Sequence, residues 1–371
     1  MAAPSPSIAA AHGTRGRWFD IAMSQHLDEL VTRADLDGLV RLIDATCANR
    51  DWAHLLEIRA ASRQAAQTGR QLWPAATLAE YRLALHSPAD IATQVLRGEA
   101  SRFTLGPLTE VIAQHHTWDQ LAEFLPYQPQ STYVAYECAL RGNEIADADD
   151  LFPALEIPVQ PSSWEPQYKL AVYADNEAAF GAPTLPSTSD ATTCDTPTRD
   201  FASLDAVTAS RIENESVERA ARQLVEAWTA QSNGHCTTVL VSGGITNALG
   251  ALGDLQTTSV NLRALSAQDA LKWLAWAGAS GGAHGRRRGA ATGRFGAWWM
   301  LAALGDALHS WPLTAERAGE IAAQWSWSWW DNGPASGWQL QLVAHNATTN
   351  VSWAISASDA RYQTSRANNA P

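Results

Sequence analysis

The chain has 371 residues, 46% of them hydrophobic, and a formal net charge of -12. That length exceeds the roughly 250 to 300 residues at which a single core stops growing, so two domains are expected. The acidity argues against general nucleic-acid affinity, and no run approaches the roughly 18 apolar residues of a membrane-spanning helix.

Residues 1–18 are small, Pro/Ser/Ala-rich and lack the apolar core of a secretory signal, which reads as a disordered tail. From residue 19 to 141 only helical periodicity is found. Ser24 precedes a helix at His26 to Arg33, followed by Leu36 to Ala48 and Trp52 to Ala66. Trp73-Pro74, Ser87-Pro88 and Gly106-Pro107 each open a further helix with proline at its start. Thr117 and Gln120 have the form of a capping box for Trp118 to Phe124, and Ser131 to Leu140 closes the series. The stretch Leu42 to Ile58 can be laid on Leu108 to Phe124, with Trp52 over Trp118 and Leu55 over Leu121. This suggests helical hairpins in a short HEAT-like or tetratricopeptide-like stack, with an irregular bundle as the alternative.

Residues 142–166 read as a linker: the acidic run Asp147, Asp149, Asp150 is followed by Pro153, Pro158, Pro161 and Pro166. An α+β domain is expected over 167–360, containing a strand at Tyr168 to Ala174 and a flexible Thr/Ser/Pro-rich loop at 181–203. Helix is expected from Asp205 to Thr229. Thr237 to Ser242 reads as a buried strand, Gly243-Gly244 as its turn and Thr246 to Gly253 as a helix. A strand at Ser259 to Leu265 and a Ser266-capped helix follow. The end reads as a small antiparallel meander of Trp325 to Trp330, Trp338 to Ala344 and Val351 to Ala357, with turns at Asp331-Asn332-Gly333 and His345 to Asn350. Residues 361–371 form a second tail. The fold class is therefore α+β, with an all-helical N-terminal half.

Composition adds two constraints. Cys47, Cys138, Cys194 and Cys236 are far apart and share no C-x-x-C spacing, so neither a disulfide framework nor a zinc site is predicted, and reduced thiols suit a cytoplasm. Of 17 tryptophans, 11 fall in the last hundred residues. Trp325, Trp327 and Trp329 alternate on one strand face, which is read as a core layer before it is read as a stacking surface for sugars or bases.

The most unusual stretch is Ala277 to Arg294, in which Gly281, Gly285, Gly289 and Gly293 recur every fourth residue. On a helix they form a ridge that admits another backbone, at a cost of roughly 1 kcal/mol for each interior glycine. In a loop, Gly281, Gly282 and Gly285 with Arg286, Arg287, Arg288 and Arg294 would cradle a phosphate or carboxylate. His284, Asp331 and Asp359 are the isolated acid-base candidates, and they become a catalytic set only if the fold brings them to that cleft. The strand-turn-helix TTVLVSGGITNALG lacks the G-x-S-x-G of a nucleophile elbow. No motif calls for a cofactor or a metal.

The run LAWAGASGGAHGRRRGAATGRFGAWWMLAALG, Leu274 to Gly305, with WAISASD at Trp353 to Asp359, resembles an actinobacterial family, domain of unknown function 6183. That family's pattern is A-x-S-S-G-G-A-Y-G-x-G-R-x-G-A-x-x-G-R with a tryptophan soon after. Here His284 stands where tyrosine is common and Arg286 where glycine is common. The resemblance covers the C-terminal third, implies a bacterial cytoplasmic protein and brings no activity with it. Two functional readings stand on the residues. The first is a non-catalytic interaction or scaffold protein that offers its helical half to a protein partner. The second is an enzyme or binding protein for an anionic small molecule, using residues 281–294.

Overall fold

The computed structural model describes residues 25–97, 105–187, 192–195, 211–252, 259–331 and 337–360. The expected tails, most of the 181–203 loop, the start of the helix at Asp205 and the turn residues Asn332-Gly333 lie outside them. The class is α+β, and the chain divides into two compact units, residues 1–115 and 116–371.

In the first unit the helices are α1 (residues 25–33), α2 (Leu36–Ala48), α3 (Trp52–Gln67), α4 (Trp73–His86), α5 (Ala89–Ala92) and α6 (Leu108–His115). Local chemistry starts them. The Asp35 carboxylate accepts from the Gly38 amide at 2.8 Å to cap α2, and Asp51 accepts from His54 at 3.2 Å to cap α3. α4 is buried almost all round because α2, α3 and α6 pack against it. It carries two charged residues into the core. Glu80, 1% exposed, accepts from Arg59 at 3.0 Å and pairs with Arg63, while Arg82 donates to Asp44 at 3.0 Å. Charges at that depth persist only when paired in this way.

The second unit opens with α7 (Trp118–Leu121), where the Thr117/Gln120 capping box is present, and α8 (Pro129–Leu140). The second of the two similar sequence stretches, Leu108 to Phe124, therefore straddles the division. Residues 142–166 carry buried Leu155, Ile157 and Glu165 as they run to a two-residue hairpin, β1 (Val172–Tyr173) and β2 (Ala178–Ala179). The longer strand expected from Tyr168 shrinks to that pair, because its partner β2 is equally short.

The remaining elements are β3 (Thr192–Asp195), α9 (Glu215–Leu224), α10 (Glu226–Ala230), β4 (His235–Ser242), α11 (Ile245–Ala251), β5 (Ser259–Leu265), α12 (Ala267–Ala279), α13 (Ala290–Leu304), α14 (Ala315–Ala323), β6 (Ser326–Asp331), β7 (Trp338–Asn346) and β8 (Val351–Asp359). The terminal meander is thus the middle of a larger antiparallel sheet of six strands, in the order β3-β5-β6-β7-β8-β4. β5 and β4 pair with the two outer strands of the meander, Leu265 facing Trp327 and Leu240 facing Trp353. One face packs under α12, burying Trp327, Trp329, Leu342 and Trp353. The other packs against α11 through Trp330, Val343 and Val239. Trp325, Trp327 and Trp329 are 6%, 3% and 3% exposed, so this aromatic row is core and offers no stacking surface.

Candidate functional site

The glycine-rich segment is neither one ridge helix nor an open loop. α12 ends at Ala279 and α13 begins at Ala290, so residues 280–289 are a turn between two helices that pack side by side. Part of the ridge survives at their crossing. A Cβ on Gly293 would overlap the Ala275 carbonyl, and one on Gly278 would meet the Gly293 backbone at 3.2 Å, so small residues permit the close approach.

The turn is fastened by the chain's own polar groups. The Gly282 amide donates to Ser280 Oγ at 3.0 Å, Ala283 to Asp359 Oδ2 at 2.5 Å, His284 to Ser232 Oγ at 3.2 Å and Arg286 to Gln231 Oε1 at 3.1 Å. Arg288 N donates to the Ala279 carbonyl at 2.8 Å, and the Ser232 hydroxyl donates to Asp359 Oδ1 at 3.0 Å. The anion in this nest is therefore Asp359, 3% exposed, with both of its oxygens engaged. Gly282 sits at φ +68, and any Cβ there would run into that carboxylate.

The arginines separate. Arg286 and His284 are exposed at the tip. Arg287 lies 3.4 Å over the Phe180 ring and donates through Nε to the Tyr173 hydroxyl at 3.1 Å, which ties the β1–β2 hairpin to the turn. Arg288 donates to the Gln223 carbonyl at 2.8 Å, and burial lowers its pKa from the ordinary arginine value. Arg294 is fully buried. It grips Glu165 with two bonds of 2.7 Å and donates to the Pro158 carbonyl at 2.6 Å, so its guanidinium anchors the 158–165 strap to α13. Trp298 Nε1 and the Tyr168 hydroxyl also reach Glu165, at 3.1 and 2.6 Å. Burial pushes the Glu165 carboxyl up, but Arg294 first and then Tyr168 and Ser162 more than offset this and hold it below its ordinary value. At the start of α13 the Ala291 amide donates to buried Glu137 at 2.8 Å, placing a carboxylate at a helix N-terminus.

Asp331 is elsewhere on the sheet, paired with Arg263 at 2.8 Å. Of the three acid-base candidates, Asp359 is tied to the turn through Ser232 and the Ala283 amide, His284 reaches Ser232 through its backbone amide and not its imidazole, and Asp331 is committed to β5. The Gly243-Gly244 turn is also internally tied. Buried Ser352 donates to the Gly243 carbonyl at 2.7 Å, which directs its lone pairs, not its proton, toward His345 Nδ1 at 2.9 Å. A hydroxyl whose proton is held by a carbonyl is a structural tie. Among the described residues no group of three His, Cys, Asp or Glu could hold a metal ion, and no helix is long and apolar enough to cross a membrane.

Ser232, Gln231, Glu165 and Tyr173 hold this region together and were not marked by sequence reading. Each lies far along the chain from a residue it holds: Ser232 and Gln231 from the turn, Tyr173 from Arg287 and Glu165 from Arg294.

The glycine-arginine turn and the tryptophan sheet lie within one family model, the family of unknown function (DUF6183), which matches residues 37–361. The chain belongs to that family. The match takes in most of the chain, both the helical unit and the sheet, and so extends well beyond the C-terminal third on which the resemblance first rested. No curated protein and no solved structure matches the chain.

Proposed function

We propose that this member of the family is a non-catalytic interaction protein of an actinobacterial cytoplasm, and that the turn at residues 280–289 is a fixed recognition element. The observation that carries the reading is the internal fastening of the turn by Asp359, Ser232 and Gln231, with His284 and Arg286 exposed at its tip. A segment already ordered before binding gives up little conformational entropy when a partner docks. An exposed arginine two positions from an exposed histidine suits an acidic partner surface. The helical unit supplies a second surface for a protein partner, in keeping with its run of short antiparallel helices. The cytoplasmic setting draws on the widely spaced cysteines, which form no disulfide framework in the sequence pattern. The competing reading, a cradle for an external phosphate in residues 281–294, has less support, since the Gly282, Ala283, His284 and Arg286 amides already have acceptors and Arg294 is consumed by Glu165.

The test uses the full chain, wild type and His284→Ala/Arg286→Ala, as bait in extract of the source cells. A defined protein retained by wild type and bound roughly tenfold more weakly by the variant is expected, with the melting temperature unchanged. Equal retention by both forms would remove the turn from the interaction.

A further inference from the structure

Two exposed arginines of the helical unit, Arg33 and Arg41, line one concavity. A concavity of about 450 Å³ lies between α1 and the first turns of α2, lined by His26, Glu29, Leu30, Arg33, Asp35, Gly38, Arg41 and Leu42. That volume is in the range of small-molecule sites, roughly 300 to 1,000 Å³. Its floor is apolar and firm: Leu30 and Leu42 are buried, and a Cβ on Gly38 would meet Leu30 at 2.5 Å and the Asp35 carboxylate at 2.7 Å, so the glycine sets how closely α1 approaches α2.

Arg33 and Arg41 enter the concavity from different helices. Neither makes an ion pair or hydrogen bond among the described residues, although Glu29 stands one turn before Arg33 on the same helix, a spacing at which such a pair commonly forms. The two guanidinium groups differ in this from those of Arg287, Arg288 and Arg294, which bond to Tyr173, the Gln223 carbonyl and Glu165. Asp35 has one oxygen committed to the Gly38 amide, which leaves Glu29 as the uncommitted carboxylate of the lining. The lining thus offers two guanidinium forks for an oxyanion and one carboxylate for a hydrogen-bond donor on the same molecule.

We propose that this concavity binds a phosphate-bearing small molecule that also carries hydroxyl or amino groups. Arg33 and Arg41 take the phosphate oxygens, Glu29 accepts from the hydroxyl or amine, and Leu30 with Leu42 supports the carbon skeleton. The proposal does not depend on the interaction reading of the 280–289 turn, because none of its residues lies there.

The experiment is a calorimetric titration of the full chain with inorganic phosphate, at constant ionic strength set with chloride. Saturable binding is expected for wild type. Arg33→Gln and Arg41→Gln should each weaken it by roughly tenfold, as expected for loss of one charge-assisted contact. Glu29→Gln should strengthen it, because inorganic phosphate has no amine to offer that carboxylate. Arg317→Gln, on an exposed pair in the other unit, should leave it unchanged. Arg33 and Arg41 are exposed, so their variants keep the helical packing, which circular dichroism verifies. Absence of saturable binding by wild type, or wild-type affinity retained in both the Arg33 and Arg41 variants, overturns the proposal.

Discussion

Arg294 shows how a residue marked by sequence as a ligand group can be fully spent on structure. A fully buried guanidinium is tolerated only because Glu165 and three backbone carbonyls occupy its donors. Replacing it by methionine keeps much of the volume but strands the Glu165 carboxylate in the core, which typically costs about 3 to 5 kcal/mol. Chemical denaturation of Arg294→Met should show a loss of that order. Arg294→Met/Glu165→Gln should lose less, since no uncompensated charge remains. The same pair sets a pH dependence. Glu165 has a lower pKa folded than unfolded, so its contribution is complete above the unfolded value of about 4.3 and is lost as pH falls through the depressed folded value. Stability of wild type should therefore fall with acid below about pH 4.3, more steeply than that of Glu165→Gln. Equal acid slopes for the two would show that the carboxylate is not held in this way.

At the scale of elements, the turn between α12 and α13 is held by bonds to two distant parts of the chain, the 231–232 turn and the end of β8. Asp359→Ala would leave the Ala283 amide and the Ser232 hydroxyl without their acceptor, and an unmet buried polar group costs about 1 to 3 kcal/mol. Hydrogen exchange at Ala283 and His284 should speed up in this variant while the β7 and β8 amides keep most of their protection. Gly282→Ala should destabilise by at least about 1 kcal/mol, because alanine is strained at positive φ and its Cβ meets the same carboxylate. Thermal melts of the purified variant measure this. Such contacts were out of reach of the sequence: Ala283 and Asp359 are 76 positions apart, and Arg294 and Glu165 are 129 apart. What the sequence made legible was local. The Thr117/Gln120 capping box, Ser266 before α12 and the alternating tryptophans of β6 each act within a few residues of themselves. The choice between ridge helix and loop failed for the same reason, since Gly293 serves helix packing while Gly282 serves a turn, and spacing alone treats them alike.

For the whole molecule, the α+β class followed from the change of periodicity along the chain, whereas the sheet order did not. The pairing of β8 with β4, more than a hundred positions earlier, leaves no mark in either strand, because each pattern records only which face is buried. Two compact units with separate buried cores also bear on unfolding. Only three of the 17 tryptophans precede residue 116, so indole fluorescence reports almost wholly on the second unit, while far-ultraviolet circular dichroism reports helices of both. If each unit unfolds by itself, the two signals should give different midpoints in a urea titration, and the Trp52→Phe/Trp73→Phe variant should leave the fluorescence curve nearly unchanged. The aromatic core around Trp273, Trp329 and Trp353 belongs to the second unit, which at residues 116–371 is the longer of the two. The surface the second unit exposes on unfolding sets the slope of its urea transition. Fluorescence should therefore give the steeper curve. Coincident curves with a single slope would mean that the chain unfolds as one cooperative body, and the two cores would then have to be treated as one in every stability comparison proposed for Arg294 and Asp359.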